Sequence, residues 1–199
     1  MKKHLLFAAA LLLSVSAFGQ SARTILDKAA ATVSNASGVR AHFQIISKQF
    51  GMSEGDIAVK GNKFHATTPD ALVWFDGKTQ WTYMKKNEEV NVSNPSEAEL
   101  QAINPYNFIN IYKKGFSLSA KEIPNAYEVH LTPTSKQRNI EEMYIIVDKK
   151  TYHPTHVKMR RKGKWSDIII SGLSTAALSD ATFQFNAKDF PKAEIIDLR

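Results

Sequence analysis

Between Asp56 and Val92 apolar and polar residues alternate with a period of two, the spacing of strands with one buried face. Trp81 and Tyr83 alternate with Gln80, Thr82 and Met84, and the run Ala71-Leu72-Val73-Trp74-Phe75 stands just ahead of them. Asp76-Gly77 lies between the two runs. It predicts a hairpin with a type I′ turn, which needs positive φ at both central residues. Asp56 to Lys60, a Gly61-Asn62 turn, Lys63 to Thr67 and Glu89 to Val92 extend the same meander outward. Its aromatic face is the first candidate for function.

The pattern changes on either side. Ile25, Leu26, Ala29 and Val33 recur at helical spacing within Ser21 to Ala36, and Asn35 to Gly38 supply turn formers that end the helix. Val39 to Phe50 reads as a strand with Phe43 and Ile45 on one face. After Val92, Asn94-Pro95-Ser96-Glu97 combines an N-cap, an N1 proline and a capping-box acid. Asn104-Pro105 restarts a second short helix through Tyr106, Phe108, Ile109, Ile111 and Tyr112. Helices of that length are marginal alone and need an apolar surface to rest on. Strands follow at Phe116–Ala120, Tyr127–Leu131, Met143–Val147, His156–Arg160 and Ile168–Ile170. Phe183, Phe185, Phe190 and Glu194 to Leu198 close the chain. About ten strands with helices at the start and middle indicate an α+β fold with one large curled antiparallel sheet.

Residues 1–19 read as a cleaved signal peptide. Lys2 and Lys3 precede the apolar Leu5 to Leu13, and Ala17-Phe18-Gly19 places small residues at a cleavage site before Gln20. Residues 20–199 are then expected to form a single exported, periplasmic domain. Without Lys2 and Lys3 the 26 basic residues fall to 24 against 19 acidic ones. The charge is mildly basic and scattered, except for Lys158, Arg160, Arg161, Lys162 and Lys164 around Gly163, read as a solvated hairpin tip. No nucleic-acid motif accompanies it.

Enzyme chemistry finds little support. Cysteine is absent, and no Gly-x-Ser-x-Gly elbow, Walker loop or dinucleotide fingerprint occurs. His153-Pro154-Thr155-His156 has the only close histidine spacing, and residues three apart on a strand point to opposite faces, a poor chelate. Glu88-Glu89 and Glu141-Glu142 are adjacent pairs that diverge on a strand. What remains is a surplus of aromatic and aliphatic residues. They fit either an ordinary filled core or an apolar cavity beneath a helical lid.

Glu54-Gly55-Asp56-Ile57-Ala58-Val59-Lys60, Lys63-Phe64-His65, Asp76-Gly77-Lys78-Thr79-Gln80-Trp81-Thr82-Tyr83 and Glu89-Val90-Asn91-Val92 together resemble the outer-membrane lipoprotein carrier (LolA) family. The Asp-Gly-Lys-x-x-Trp-x-Tyr segment is the most specific part. The resemblance implies an unclosed half-barrel with an α-helical lid over a hydrophobic cavity. It also implies a monomeric, non-enzymatic carrier without cofactor. Such a carrier takes acylated lipoproteins from an inner-membrane lipoprotein-releasing ABC exporter towards an outer-membrane acceptor. The acyl cavity and lid are then expected to use Phe43, Ile45, Ile57, Val59, Phe64, Trp74, Trp81, Tyr83, Leu100, Ile103, Phe108, Ile109, Tyr144 and Ile146. Many family members carry Arg-Pro, whose arginine latches the lid, where this chain has Gly61-Asn62, so that role is not carried over. Phe64 falls at the family's cavity mouth, where a charge is expected to block acyl entry and spare the fold. Competing classes are a periplasmic lipid- or peptide-sensing regulator on the same scaffold and a purely structural envelope module with a filled core.

Overall fold

Ser21 opens the first helix: its Oγ accepts a hydrogen bond from the Thr24 backbone N–H at 3.1 Å, satisfying one of the free donors of the first turn. The computed structural model describes residues 21–48, 51–96, 108–135 and 139–199. Helix α1 spans Ala22–Val33 and buries one stripe, Ile25, Leu26, Ala29, Ala30 and Val33.

Eleven strands follow one another with antiparallel partners: β1 (Val39–Ser47), β2 (Gly51–Lys60), β3 (Lys63–Thr67), β4 (Ala71–Phe75), β5 (Gln80–Met84), β6 (Glu89–Ser93), β7 (Phe116–Ile123), β8 (Ala126–Pro133), β9 (Glu142–Asp148), β10 (Pro154–Arg161) and β11 (Lys164–Thr175). A short helix α2 (Phe108–Ile111) stands between β6 and β7. A twelfth strand, β12 (Glu194–Asp197), comes last. The order across the sheet is β12-β6-β5-β4-β3-β2-β1-β11-β10-β9-β8-β7, so β1–β6 and β7–β11 are two meanders joined where β1 pairs with β11. The sheet is curled and unclosed, as expected.

Several local expectations change. The sheet has twelve strands rather than about ten, and β12 lies parallel to β6, with Ile195 beside Val90 and Asp197 beside Val92. The Asp76-Gly77 connection is not a type I′ turn. Only Gly77 takes positive φ (102°). Asp76 instead organises a four-residue loop, its Oδ1 accepting from the Lys78 and Thr79 backbone N–H groups at 2.9 and 2.8 Å. Positive φ at two consecutive central residues occurs at Lys162 (48°) and Gly163 (69°), in the β10–β11 hairpin. The two helices expected after Asn94 fall mainly on residues 97–107, which lie outside the described residues; α2 is the part described.

Pairing decides the faces, because residues directly opposite on neighbouring strands share one. Val59 faces Phe64, and Phe64 faces Phe75. Ala41 faces Ile57, while Phe43 and Ile45 face Ile170 and Ile168. These residues form one core with the α1 stripe, Val129, Leu131, Met143, Ile145 and Val157. This is the helix-covered face.

The other face has its own cover. His65 pairs with Trp74, Trp74 with Trp81, and Leu72 with Tyr83. The C-terminal segment folds back over them: Phe185 and Phe190 meet Trp74 with ring centroids 5.5 and 5.6 Å apart, and Phe190 meets Tyr83 at 4.6 Å. Beside them Phe183 and Leu178 bury Ala58. The strand Ala71–Phe75 is therefore apolar on both sides for a physical reason: both its faces are covered.

Candidate functional site

The candidate site is the apolar helix-covered face. Its strip runs from Leu118 on β7 through Leu131, Met143, Val157, Ile168, Phe43, Ile57 and Phe64 to Val73 and Phe75 on β4. It ends at β5 and β6, where the same face carries Gln80, Thr82, Asn91 and Ser93, paired as Gln80–Ser93 and Thr82–Asn91. α1 rests mainly on β7, β8 and β9. A helix is about 10–12 Å across and strands are spaced ~4.8 Å, so one helix spans two or three strands. The apolar strip is much wider than α1.

The expected site residues do not all share this face. Phe43, Ile45, Ile57, Val59 and Phe64 belong to it, with Ile45 only partly buried. Trp74, Trp81 and Tyr83 stand on the opposite face, where Trp74 and Tyr83 pack with the C-terminal phenylalanines. Tyr144 and Ile146 are also on the opposite face, as the partners of Lys158 and His156. Tyr144 stacks on His130 with centroids 4.4 Å apart and donates to Glu142 Oε1 at 2.7 Å. A cavity cannot be lined from both sides of one sheet, so these five are placed apart from the strip. Leu100 and Ile103 lie outside the described residues. Phe108 and Ile109 lie in α2, and the rest of the expected helical lid lies outside the described residues.

Reasoning from sequence missed Val73, Phe75, Ile168 and Ile170 as members of the strip. The alternation did contain the signal. Phe64, Phe75 and Val73 are on one face only if Trp74 and Trp81 are on the other, and the rings Phe183, Phe185 and Phe190 were left to cover those.

The basic hairpin tip divides in the same way. Lys158 and Arg160 reach over the Trp165 ring, 4.9 and 5.5 Å from its centroid. Arg161, next along β10, turns to the helix-covered side, where its Nε is buried without a hydrogen-bond partner and burial pushes its pKa down. His156 Nε2 lies 2.9 Å from Asp167 Oδ1, while His153 precedes the strand.

α1 is pinned where the strip begins. The residue after α2, Tyr112, is 1% exposed and donates a short hydrogen bond to Asp27 of α1, with the Arg23 guanidinium 5.8 Å from its ring centroid. Burial first, and then the Asp27 carboxylate, push the Tyr112 pKa well above its ordinary value. A raised folded-state pKa contributes stability that is full below the unfolded value near 10 and is lost as pH rises beyond it. Tyr112→Phe is expected to cost about 1.5–3 kcal/mol at pH 7. It should also flatten the loss of stability above pH ~10, measured by urea unfolding across that range. An unchanged alkaline slope would show that the phenol does not carry it.

A family model described as outer membrane lipoprotein carrier protein LolA matches residues 13–164. The chain belongs to this family. The match stops at the first residue of β11, so most of that strand, the C-terminal phenylalanines and β12 lie beyond it. No curated protein matches the chain. Among solved structures, an uncharacterized conserved protein from Thermus thermophilus aligns with a TM-score of 0.60 at 13% identity, over 88% of this chain and 98% of that one. At that identity the likeness shows the fold alone. A LolA superfamily protein from Nitrosomonas europaea aligns with a TM-score of 0.44 at 11% identity, over 84% of this chain and 99% of that one. MucB in the Pseudomonas aeruginosa MucA/MucB complex aligns at 0.46 and 14% identity, over 84% of this chain and 62% of that one. Among the described residues no helix is long and apolar enough to cross a membrane.

Proposed function

We propose that the protein is a periplasmic carrier that shelters the acyl chains of lipoproteins on its helix-covered face and moves them from the inner towards the outer membrane. Membership of the LolA family supports this reading. The observation that carries it is the width of the apolar strip, which extends over six strands beyond those on which α1 mainly rests. Each buried methylene contributes ~0.8 kcal/mol. An acyl chain on that strip is therefore held by area, with no directed polar contact to break on release. The domain begins after residue 19, acts as a monomer without cofactor or catalysis, and exchanges cargo with an inner-membrane ABC exporter and an outer-membrane acceptor.

Two adjacent residues test the face. Ile45 is partly buried on the strip, and Ile46 is 42% exposed on the opposite side. The protein should bind a fatty-acyl fluorophore saturably. Ile45→Glu places a charge beside the chain, and a desolvation cost of even ~1.4 kcal/mol lowers affinity tenfold. Ile46→Glu should leave it unchanged. In spheroplasts the unsubstituted protein should collect released lipoprotein and the Ile45→Glu variant should not. Absence of acyl binding by the folded protein would sink the proposal.

A further inference from the structure

Five large apolar side chains are exposed among the described residues: Ile46 (42%), Met52 (69%), Ile169 (40%), Ile195 and Leu198. Ile195 and Leu198 belong to the β12 end of the chain. Ile46, Met52 and Ile169 meet on the face opposite the apolar strip. Ile46 pairs directly with Met52 across β1 and β2, and Ile169 on β11 pairs with Gln44, two residues before Ile46. A direct cross-strand pair and its diagonal neighbour therefore share one side of the sheet. Single exposed apolar residues are ordinary, but a contiguous group of them marks a contact surface. β2 also outruns its other neighbour here. Its pairing with β3 begins at Asp56, so among the described residues 51–55 pair with β1 only, and Met52 sits on a two-stranded ribbon that projects past β3.

The basic β10–β11 hairpin ends at the same place. Ser166 of β11 lies opposite Ser47 of β1, which brings Lys162, Lys164 and Lys48 to one end of the sheet. Most carboxylates near this end are already engaged. Glu141 and Glu142 each lie 3.2 Å from Arg160, Asp167 lies 2.9 Å from His156, and Asp56 lies 3.2 Å from His42. Glu54 on β2 is exposed. Lys48, Lys158, Lys162 and Lys164 are all exposed, and none forms an ion pair among the described residues. Trp165 shares the face of Ile169 and is only partly buried, with the Lys158 and Arg160 cations over its ring.

Exposed aliphatic groups, a tryptophan and unpaired lysines in one area suit a partner that is anionic outside and apolar just beneath. A lipid bilayer has that layering: lysines on flexible stems reach its phosphates, an indole sits at headgroup level and aliphatic side chains enter the acyl boundary. An acidic protein segment would match the lysines and leave Ile46 and Met52 without apolar cover. We propose that this end of the sheet docks on the surface of an anionic lipid bilayer, with Ile46 and Met52 at the headgroup–acyl boundary and the lysines over the phosphates. The docking face is the reverse of the acyl-chain strip, so the proposal does not rest on the carrier reading.

The full chain would be sedimented with vesicles of phosphatidylcholine alone and of phosphatidylcholine and phosphatidylglycerol in equal parts. Binding to the mixed vesicles is expected, to weaken as salt is added, and to exceed binding to phosphatidylcholine by about tenfold or more. Ile46→Glu should weaken it by about tenfold, and so should the double change Lys162→Gln, Lys164→Gln. Every variant shares the same N-terminal segment, so differences among them report this surface. Ile45→Glu, on the strip, should lose the acyl fluorophore and keep the vesicles, and Ile46→Glu should do the reverse. Brominated phosphatidylcholine in the mixed vesicles should quench tryptophan emission, and Trp165→Phe should lose that quenching. Equal binding to the two kinds of vesicle, or undiminished binding by Ile46→Glu, would overturn the proposal. So would a poly-glutamate peptide that displaces the protein from mixed vesicles and binds Ile46→Glu equally well, which would assign the lysines to an acidic protein partner.

Discussion

Phe64→Glu is expected to unfold the protein rather than to close its cavity. Phe64 is 1% exposed, with Val59 beside it and the Phe75 ring centroid 5.5 Å away. Removing the ring costs about 3–5 kcal/mol. A buried carboxylate with no cationic partner adds several more. Together these approach the whole stability of an ordinary domain, about 5–15 kcal/mol. The position was expected from sequence to lie at a solvent-facing mouth; the structure corrects this, because β3 is central and its inner face packs in the core. A thermal melt followed by far-ultraviolet circular dichroism checks the outcome. Phe64→Leu should retain a cooperative transition at a lower temperature. A Phe64→Glu variant melting within a few degrees of the unsubstituted protein would mean that water reaches this side chain.

The second large effect is expected at the other end of the chain. Phe183 is fully buried against Ala58 and Leu178, so Phe183→Ala should cost about 3–5 kcal/mol. Truncation after Leu178 should cost more, because it also uncovers Trp74 and Tyr83 and removes the pairing of β12 with β6. Lys60 and Lys63 lose Asp180, which lies 3.6 and 3.1 Å from them; Lys63 beside it holds that carboxyl below its usual range. Urea midpoints give the stability. Tryptophan emission should move to longer wavelength, because Trp74 passes from the rings of Phe185 and Phe190 into water. Equal midpoints with and without the segment would show that it does not seal the face.

Much of this fold was legible in the chain. The α1 stripe, the two-residue Gly61-Asn62 hairpin and the antiparallel meander follow from periodicity and turn chemistry. Which face each strand turns inward did not follow, because alternation fixes only that neighbours point opposite ways. The aromatic side of β5 looked like the core, yet Trp81 and Tyr83 are turned away from α1. A stronger clue was the unbroken run Ala71–Phe75, which requires cover on both sides. β12 was harder to read. Four residues, Glu194–Asp197, find a parallel partner about a hundred positions earlier, and no local pattern specifies that pairing.

The strand order also separates fast steps from slow ones. Within β1–β6 and within β7–β11 every partner is the next segment of chain, so hairpins can form by short loop closures. Two seams are different: β1 must find β11, and β6 must find β12. Pairings over such separations are entropically expensive and slow. A chain delivered N-terminus first can therefore assemble its first meander early, but Trp74 and Tyr83 stay uncovered until Phe185 and Phe190 arrive. In that interval the half-made sheet presents a sticky aromatic surface, and the closing C-terminal segment acts as the latch that ends its exposure.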